Sequence, residues 1–538
     1  MIANRLAATG LVGISATAFV LSFPPHHFAL LPWVALVPLF IALRRASSAS
    51  AAAAVAAIWG LLAAYGITAW LPDAIANYWQ QPFLLGLGLF VATSALMGSL
   101  QYGLFAAACR SLGRGRWPSP AFVAAAWVAA ELGRCRLFGG NPWGLMGYTL
   151  APSTADTSSS WSQLPLQVAD LGGVYAVSFV IVACNAAVVD LAVLLMRRQG
   201  EAVDARARVV RNLGIAAALV VAAALYGHGR LQTLEAATPP THSAAIVQGN
   251  ASLGTTWRPE FYGHNFDLYL KGTAEALAHS PALIVWPENA MSFFAEDEPL
   301  YRKSLARLLD GADVEVLAGG PSKSPSENPQ YFNSAFVFSN TGDITARYDK
   351  ERLLPFAEHF PFGAVAYLRR SFGRMREFTP GTRLAPLPTS IGRAGILICN
   401  EIMFDEIVVD RVRDGADFLV NLSNDTWIGD ELYSLNHLAI GVVRAIETRR
   451  FLVRASTSGP SAFVSPTGRV LAVSPLDQRS VLQDGVTTSS EITPFVRFGD
   501  LFALLCTAAV LLQLAFRGNR AFLRGQSGSN RGNFSEEA

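Results

Sequence analysis

Two rhythms of apolar residues divide the chain. Over the first 230 positions the apolar residues come in long blocks, roughly 5–23, 27–43, 51–70, 83–108, 171–196 and 212–229. Each is close to the ~20 residues a helix needs to cross the hydrocarbon core of a bilayer. A weaker block, 119–137, contains Glu131 and Arg134, which are costly in lipid unless they face protein. With it there are seven predicted spans before the polar region, and an eighth, 498–517, stands alone after it.

Between 243 and 490 the rhythm changes to short apolar runs separated by amphipathic stretches. SAAIVQGN, ALIVWPEN, VEVLAGGP, NSAFVFSNTGD, AGILICNE, DFLVNLSND and FLVRASTSGPSAFVSPTGRV read as strands, being rich in β-branched and aromatic residues and bounded by Gly, Asn and Pro. PEFYGHNFDLYLKGTAEALAHS, DEPLYRKSLARLLDGAD and ELYSLNHLAIGVVRAIETRR read as amphipathic helices. The expected organisation is a seven-helix membrane domain over 1–230, a linker at 231–242, an α/β domain at 243–490, the last span, and a disordered tail at 518–538 rich in Gly, Ser, Asn and Arg.

Composition supports this division. Of 538 residues 51% are hydrophobic and 15% charged, with mean hydropathy +0.32, too apolar for an ordinary soluble chain. The net charge of +2 says little as a total, because the arginines are sorted by loop. One alternating set of connections holds Arg5, Arg44, Arg45, Arg110, Arg114, Arg116, the arginines of 197–211, and Arg517 onward; the other has only Arg134 and Arg136 in its short loops. The positive-inside rule then puts both termini in the cytoplasm and the α/β domain on the far side. The first block, followed by Pro24, Pro25 and further spans, reads as an anchor and not as a cleaved leader. Sorting by side leaves no pooled basic surface for nucleic acid.

Of five cysteines, Cys109, Cys135, Cys184 and Cys506 fall in or beside apolar blocks, where a small hydrophobe is ordinary. Cys399 alone lies in the α/β domain, where an unpaired thiol in an oxidising space is either reactive or buried and inert. Lysine is confined to Lys271, Lys303, Lys323 and Lys350 in a chain that otherwise uses arginine. Strands end in Asn250, Glu288, Cys399 and Asn424–Asp425, and α/β sites gather at strand ends. Glu288, behind an apolar run and a proline, suits a general base; Lys350 suits a partner for a thiolate or oxyanion. Taken singly each could be half of a structural ion pair. A cysteine–histidine dyad through His359 or His437 is a weaker alternative.

The segments IVWPEN with Glu288, YDKERLLPFAEHFPF with Lys350 and GILICNEI with Cys399 resemble those of the carbon–nitrogen hydrolase (nitrilase) superfamily. VQGN followed by Trp257, LSNDTWIGD with Trp427, FVSPTGRV and the arrangement of spans resemble its membrane-bound apolipoprotein N-acyltransferase family more closely. That resemblance implies a Glu288–Lys350–Cys399 triad on an αββα sandwich and a thioester intermediate. It implies a phospholipid acyl donor and, as acceptor, the α-amine of a lipoprotein's diacylglyceryl-cysteine, handled by a monomer in the bacterial inner membrane. Glu358 would orient the lysine or the amine, Glu401 would support the active-site loop, and Trp427 would shape a lipid entrance. Where the family usually has Tyr after the nucleophile this chain has Asn400. The apolar, Arg-flanked stretch 353–375 suits an arm at the lipid interface. No metal, nucleotide or other cofactor is expected, since neither ligand spacing nor a phosphate loop is present. The rivals are a tethered amidase or nitrilase hydrolysing a small amide, and a silent lipid binder for which Cys399 is dispensable.

Overall fold

The computed structural model describes residues 2–78, 80–112, 117–155, 161–196, 203–237, 241–252, 258–355, 357–359, 377–382 and 385–529. Trp257 and most of the 353–375 stretch lie outside these residues.

The first part of the chain is a helical bundle: α1 (Ile2–Val20), α2 (Val37–Arg45), α3 (Ala49–Ile67), α4 (Trp70–Tyr78), α5 (Phe83–Ser94), α6 (Leu100–Leu112), α7 (Pro120–Arg136), α8 (Gln163–Leu166), α9 (Ala169–Leu195) and α10 (Val203–Ala237). Four helical stretches, Ala49–Ile67, Phe83–Leu112, Ala169–Leu195 and Ala205–Leu234, are long and apolar enough to cross a membrane. Ala8–Val20 and Leu501–Arg517 are shorter apolar helices. The 27–43 block does not make one helix. Prolines 32 and 38 fall inside it, and the block is divided into a 3-10 turn at Leu31–Trp33 and the nine-residue α2. Glu131 and Arg134 of α7 are both buried in protein, which removes the objection to that block. The segment expected as a linker from 231 begins as helix, since α10 runs on to Ala237.

The α/β domain consists of two six-stranded sheets with strand orders β12-β1-β2-β3-β4-β5 and β11-β10-β9-β8-β7-β6. The strands are β1 (His242–Gln248), β2 (Leu283–Val285), β3 (Glu315–Lys323), β4 (Tyr331–Phe338), β5 (Ile344–Asp349), β6 (Leu387–Thr389), β7 (Gly392–Ile398), β8 (Phe418–Ser423), β9 (Leu452–Ser456), β10 (Ala462–Val464), β11 (Val470–Val473) and β12 (Ser480–Val486). Each sheet has three parallel strands at its centre, β1-β2-β3 and β7-β8-β9, with antiparallel flanks. The apolar rows of Ile246, Val285, Leu317, Ile396, Val420 and Val453 fill the space between the sheets.

Helices α11 (Tyr262–Leu277) and α12 (Pro299–Leu309) cover the outer face of the first sheet through Phe266, Tyr269, Leu305 and Leu309. Helices α13 (Asp405–Arg413) and α14 (Glu431–Thr448) cover the second. The result is an αββα sandwich, as expected. Beyond α13 and α14 the apolar core runs without a break into the bundle, joining Ile407, Val442 and Ile446 to Trp127, Leu150 and Val177. After α15 (Pro494–Phe498), α16 (Leu501–Ser529) returns to the bundle and packs on α7 and α9, and its helix reaches further than the tail boundary expected at 518.

Candidate active site

The strand ends place the candidate residues together. Glu288 follows β2 after Trp286–Pro287, Lys350 follows β5, and Cys399 follows β7. Gly319 of β3 allows the first turn: a Cβ there would lie 2.6 Å from the Pro287 carbonyl and 2.7 Å from Glu288 Cα. Cys399 is held at φ +54°, a left-handed conformation that costs a non-glycine residue ~1–3 kcal/mol. It begins a 3-10 turn, Cys399–Met403, that swings the chain off the strand.

All three side chains are buried, with relative exposures of 4% for Glu288, 1% for Lys350 and 4% for Cys399. Lys350 Nζ donates to Glu358 at 2.9 Å and lies 3.7 Å from Glu288 Oε1. The Asn333 amide donates to both carboxylates, at 2.7 Å each. Glu288 Oε2 accepts the Asn424 backbone N–H at 2.9 Å, and Glu358 Oε2 accepts that of Leu354 at 2.7 Å. Two carboxylates therefore bracket one ammonium with every arm tied down.

The electrostatics follow from that arrangement. Burial raises the Glu288 carboxyl above the ordinary range; Lys350 pulls it back and Glu358 pushes it further up. Burial alone would lower Lys350, but Glu358 and Glu288 outweigh it and keep the ammonium charged. The Cys399 thiol is pushed up by burial and by Glu288, with Lys350 opposing. At rest, then, this site pairs a protonated thiol with a carboxylate more basic than usual, beside a fixed positive charge. It can move a proton off sulfur while Lys350 steadies developing negative charge.

Glu401 is fully buried and accepts four donors: Ile398 N–H at 2.7 Å, Tyr348 O–H at 2.8 Å, Glu351 N–H at 2.7 Å and Arg352 N–H at 3.1 Å. It clamps the turn after Cys399 to the segment after Lys350. Asn400 is buried, and its side-chain oxygen has no partner among the described residues. Trp427 is half-buried in an aromatic cluster with Trp70, Trp143 and Tyr433. Burial raises the Tyr433 hydroxyl well above its ordinary value, and a thiolate at Cys399 would raise it further.

Neither histidine forms a dyad with the thiol. His437 is fully buried, and its Nδ1 accepts from Arg454 at 3.2 Å. Burial and Arg454 hold it neutral, and the Cys399 backbone opposes them. His359 is half-buried with an unpaired Nδ1. Asn333, Tyr348, Tyr433 and Arg454 were not singled out from sequence. Asn333 carried a signal, as a polar residue inside an apolar strand whose carbonyl accepts the Lys350 N–H at 2.8 Å. Among the described residues no group of His, Cys, Asp and Glu could hold a metal ion.

Residues 243–490 match the carbon–nitrogen hydrolase family model, and 15–187 match that of the apolipoprotein N-acyltransferase N-terminal domain. Among solved structures, an amidase from Nesterenkonia is similar at 18% identity and TM-score 0.36, over 48% of this chain and 94% of that one. The Caenorhabditis elegans NitFhit protein is similar at 20% identity and TM-score 0.38, over 49% and 64%. Curated apolipoprotein N-acyltransferases align along nearly the whole chain. That of Geobacter metallireducens is 32% identical over 94% of both chains, and that of Vibrio cholerae is 30% identical over 92% of this chain and 95% of its own. That of Nitrosomonas europaea is 30% identical over 96% and 99%. With both halves matched in order, the chain belongs to the apolipoprotein N-acyltransferase family.

Proposed function

We propose that this protein moves an acyl chain from a phospholipid, through a thioester on Cys399, to the α-amine of the N-terminal diacylglyceryl-cysteine of a lipoprotein. The carrying observation is the buried Glu288–Lys350–Glu358 cluster at the strand end facing Cys399, on a sandwich whose core continues into an apolar helical bundle. The relatives named for this activity along the full chain support the same reading.

In the first half-reaction Glu288 takes the thiol proton as sulfur attacks the ester carbonyl. Lys350 and a backbone N–H near Asn400 steady the oxyanion. The C–O bond breaks, and the leaving lysophospholipid alkoxide recovers the proton from Glu288. In the second, the lipoprotein amine attacks the thioester, Glu288 accepts a proton from the nitrogen, and the thiolate leaves and is reprotonated. Glu358, bonded to Lys350 at 2.9 Å, holds the ammonium in place. The protein acts in the bacterial inner membrane with the sandwich outside. Arg44, Arg45 and Arg110 lie at the ends of α2 and α6, in the connections opposite those that lead to the sandwich.

The test is to incubate the purified full-length protein with a phospholipid and weigh the Cys399 peptide. An acyl adduct is expected, discharged by an amine-bearing lipopeptide faster than by water. Glu288→Gln is expected to slow adduct formation by ~10²–10⁴-fold. No adduct in the wild type, or one that water discharges as fast as the amine does, would remove the acyltransferase reading, the latter in favour of hydrolysis.

A further inference from the structure

The outward face of the second sheet changes character along its strands. Leu419 of β8 and Leu452 of β9 join the core shared with α14 and the bundle. Two residues on, the same row carries Asn421 and Arg454, paired in register, and then Ser423 and Ser456. Asn421, Arg454 and Asp425, which follows β8, are fully buried.

Every arm of Arg454 is committed. Its Nε donates to the Pro460 carbonyl at 3.3 Å and its Nη1 to the Asn421 side-chain oxygen. Its Nη2 reaches Asp425 at 2.9 Å and His437 Nδ1 at 3.2 Å. Asp425 also accepts the hydroxyls of Ser423 at 2.5 Å and Ser456 at 3.0 Å. A Cβ on Gly459 would stand 2.1 Å from that carboxylate, so the chain closes over it only with glycine there. Taking both ions out of water is costly, and well-packed apolar residues of similar volume are often as stable or more so. The pair needs a reason other than stability.

Its contacts supply one. Asn421, its oxygen held by Arg454, donates its amide to the Leu397 carbonyl at 3.0 Å and the Cys399 carbonyl at 3.3 Å. These lie on either side of the point where the chain leaves β7 for the left-handed Cys399. Asp425 anchors the turn in which the preceding residue, Asn424, gives its backbone N–H to Glu288 at 2.9 Å. Thr457, next to Ser456, donates its hydroxyl to the Glu288 carbonyl at 3.3 Å. One ion pair is thus tied through Asn421 to the backbone of the nucleophile and through Asn424 to the carboxylate of the base.

We propose that Asn421, Arg454 and Asp425 are positioning residues that hold the Cys399 sulfur against Glu288. Their part in acyl transfer rests on the function proposed above; the placement of the thiol against its base does not.

The test is the rate at which iodoacetamide alkylates Cys399 of the full-length protein in detergent without lipid, beside its acylation by a phospholipid, each read by mass spectrometry. Asn421→Leu combined with Arg454→Met and Asp425→Asn removes both charges together. This variant is expected to melt cooperatively, as apolar replacement of a buried ion pair often allows, and to slow both reactions by about 10–100-fold, the cost of a placement error of up to ~1 Å. Arg454→Lys is the milder change: it keeps a charge beside Asp425 but lacks the fork that also reaches Asn421, and it should slow alkylation in the same direction by less. The decisive readout is the cycle with Glu288→Gln. Once the base is gone neither variant should slow alkylation further, whereas a general loosening of the fold would act equally in either background. Unchanged rates in both variants, slowing that adds in full to that of Glu288→Gln, or loss of the cooperative melt in both variants overturns the proposal. A wild type that is alkylated through Glu288 but not acylated by lipid would count against the acyl-transfer reading and leave the positioning result standing.

Discussion

Glu288 carries a testable consequence at the scale of a single residue. As a base it works only when deprotonated, so the rate at which Cys399 is acylated should fall as pH drops through the Glu288 pKa. Burial raises that pKa above the ordinary 4.5, so the acid limb is expected above 4.5, within the range where most exposed carboxylates are already charged. Acylation rate against pH, read by mass spectrometry, should show the limb in the wild type and lose it in Glu288→Gln. A limb at or below 4.5, or one that persists in the variant, assigns the proton transfer elsewhere. Glu288 and Cys399 stood out in the sequence as chemically distinct groups directly behind apolar runs, and Lys350 as one of four lysines in a chain that otherwise uses arginine. Asn333 did not. A lone amide in a strand looks like turn chemistry until the fold sets Lys350 beside its carbonyl and two carboxylates on its nitrogen.

Among elements, the clamp made by Glu401 fixes the register between the turn after β7 and the segment after β5. Three of its four donors are backbone N–H groups, and removing the carboxylate leaves the buried Ile398 N–H without its partner at ~1–3 kcal/mol and the half-buried Glu351 and Arg352 N–H groups without theirs. Glu401→Ala is therefore expected to lower the thermal midpoint of the detergent-solubilised protein by several degrees and to slow Cys399 acylation, because sulfur and ammonium lose their common support. Unchanged stability and rate together would show that the clamp is dispensable. The elements whose pattern matched their burial were β1, β7 and β8 as apolar runs and α11 and α12 as amphipathic helices, whereas α14, expected to be amphipathic, is a helix buried from Tyr433 to Thr448. β5, β11 and β12 are flank strands with mixed burial, and their pattern does not stand out from loop. The 27–43 block had the composition of a span, but its prolines decided the geometry.

For the whole molecule the decisive feature is that sandwich and bundle share one core. Burial raises Glu447 of α14 to about 7, with the Arg444 ion pair opposing, and its Oε1 accepts the Val174 N–H at 2.7 Å where Gly172 and Gly173 break α9. A carboxyl whose folded pKa exceeds its unfolded 4.5 binds its proton more tightly in the fold. The stability it adds is thus fully present below 4.5 and lost as pH rises through about 7. Thermal midpoints measured across that window should fall with pH in the wild type and fall less in Glu447→Gln; equal slopes would mean that another group sets the dependence.

The same shared core forbids treating the sandwich as a detachable enzyme. An amphipathic surface helix keeps a polar face toward water. In α14, by contrast, Tyr433 through Thr448 are all buried, one side on the second sheet and the other on the bundle. The charges behind it are matched across the boundary as well. Arg449, fully buried, pairs with Asp170 of α9 at 2.7 Å, and Arg444 with Tyr148, which leads into α8 and α9. Cutting the chain to residues 243–490 would expose that apolar face to water, at about 25 cal/mol per Å² of apolar surface, and take from Arg449 the Asp170 carboxylate that it pairs with. The whole stability of a domain is only ~5–15 kcal/mol. The excised 243–490 fragment is therefore expected to aggregate, or to bind a hydrophobic dye strongly and melt without a cooperative transition, while the full-length protein in detergent melts as one unit. A fragment that stays monomeric, melts cooperatively and lets Cys399 be acylated from a soluble ester would show that the bundle serves only to deliver lipid.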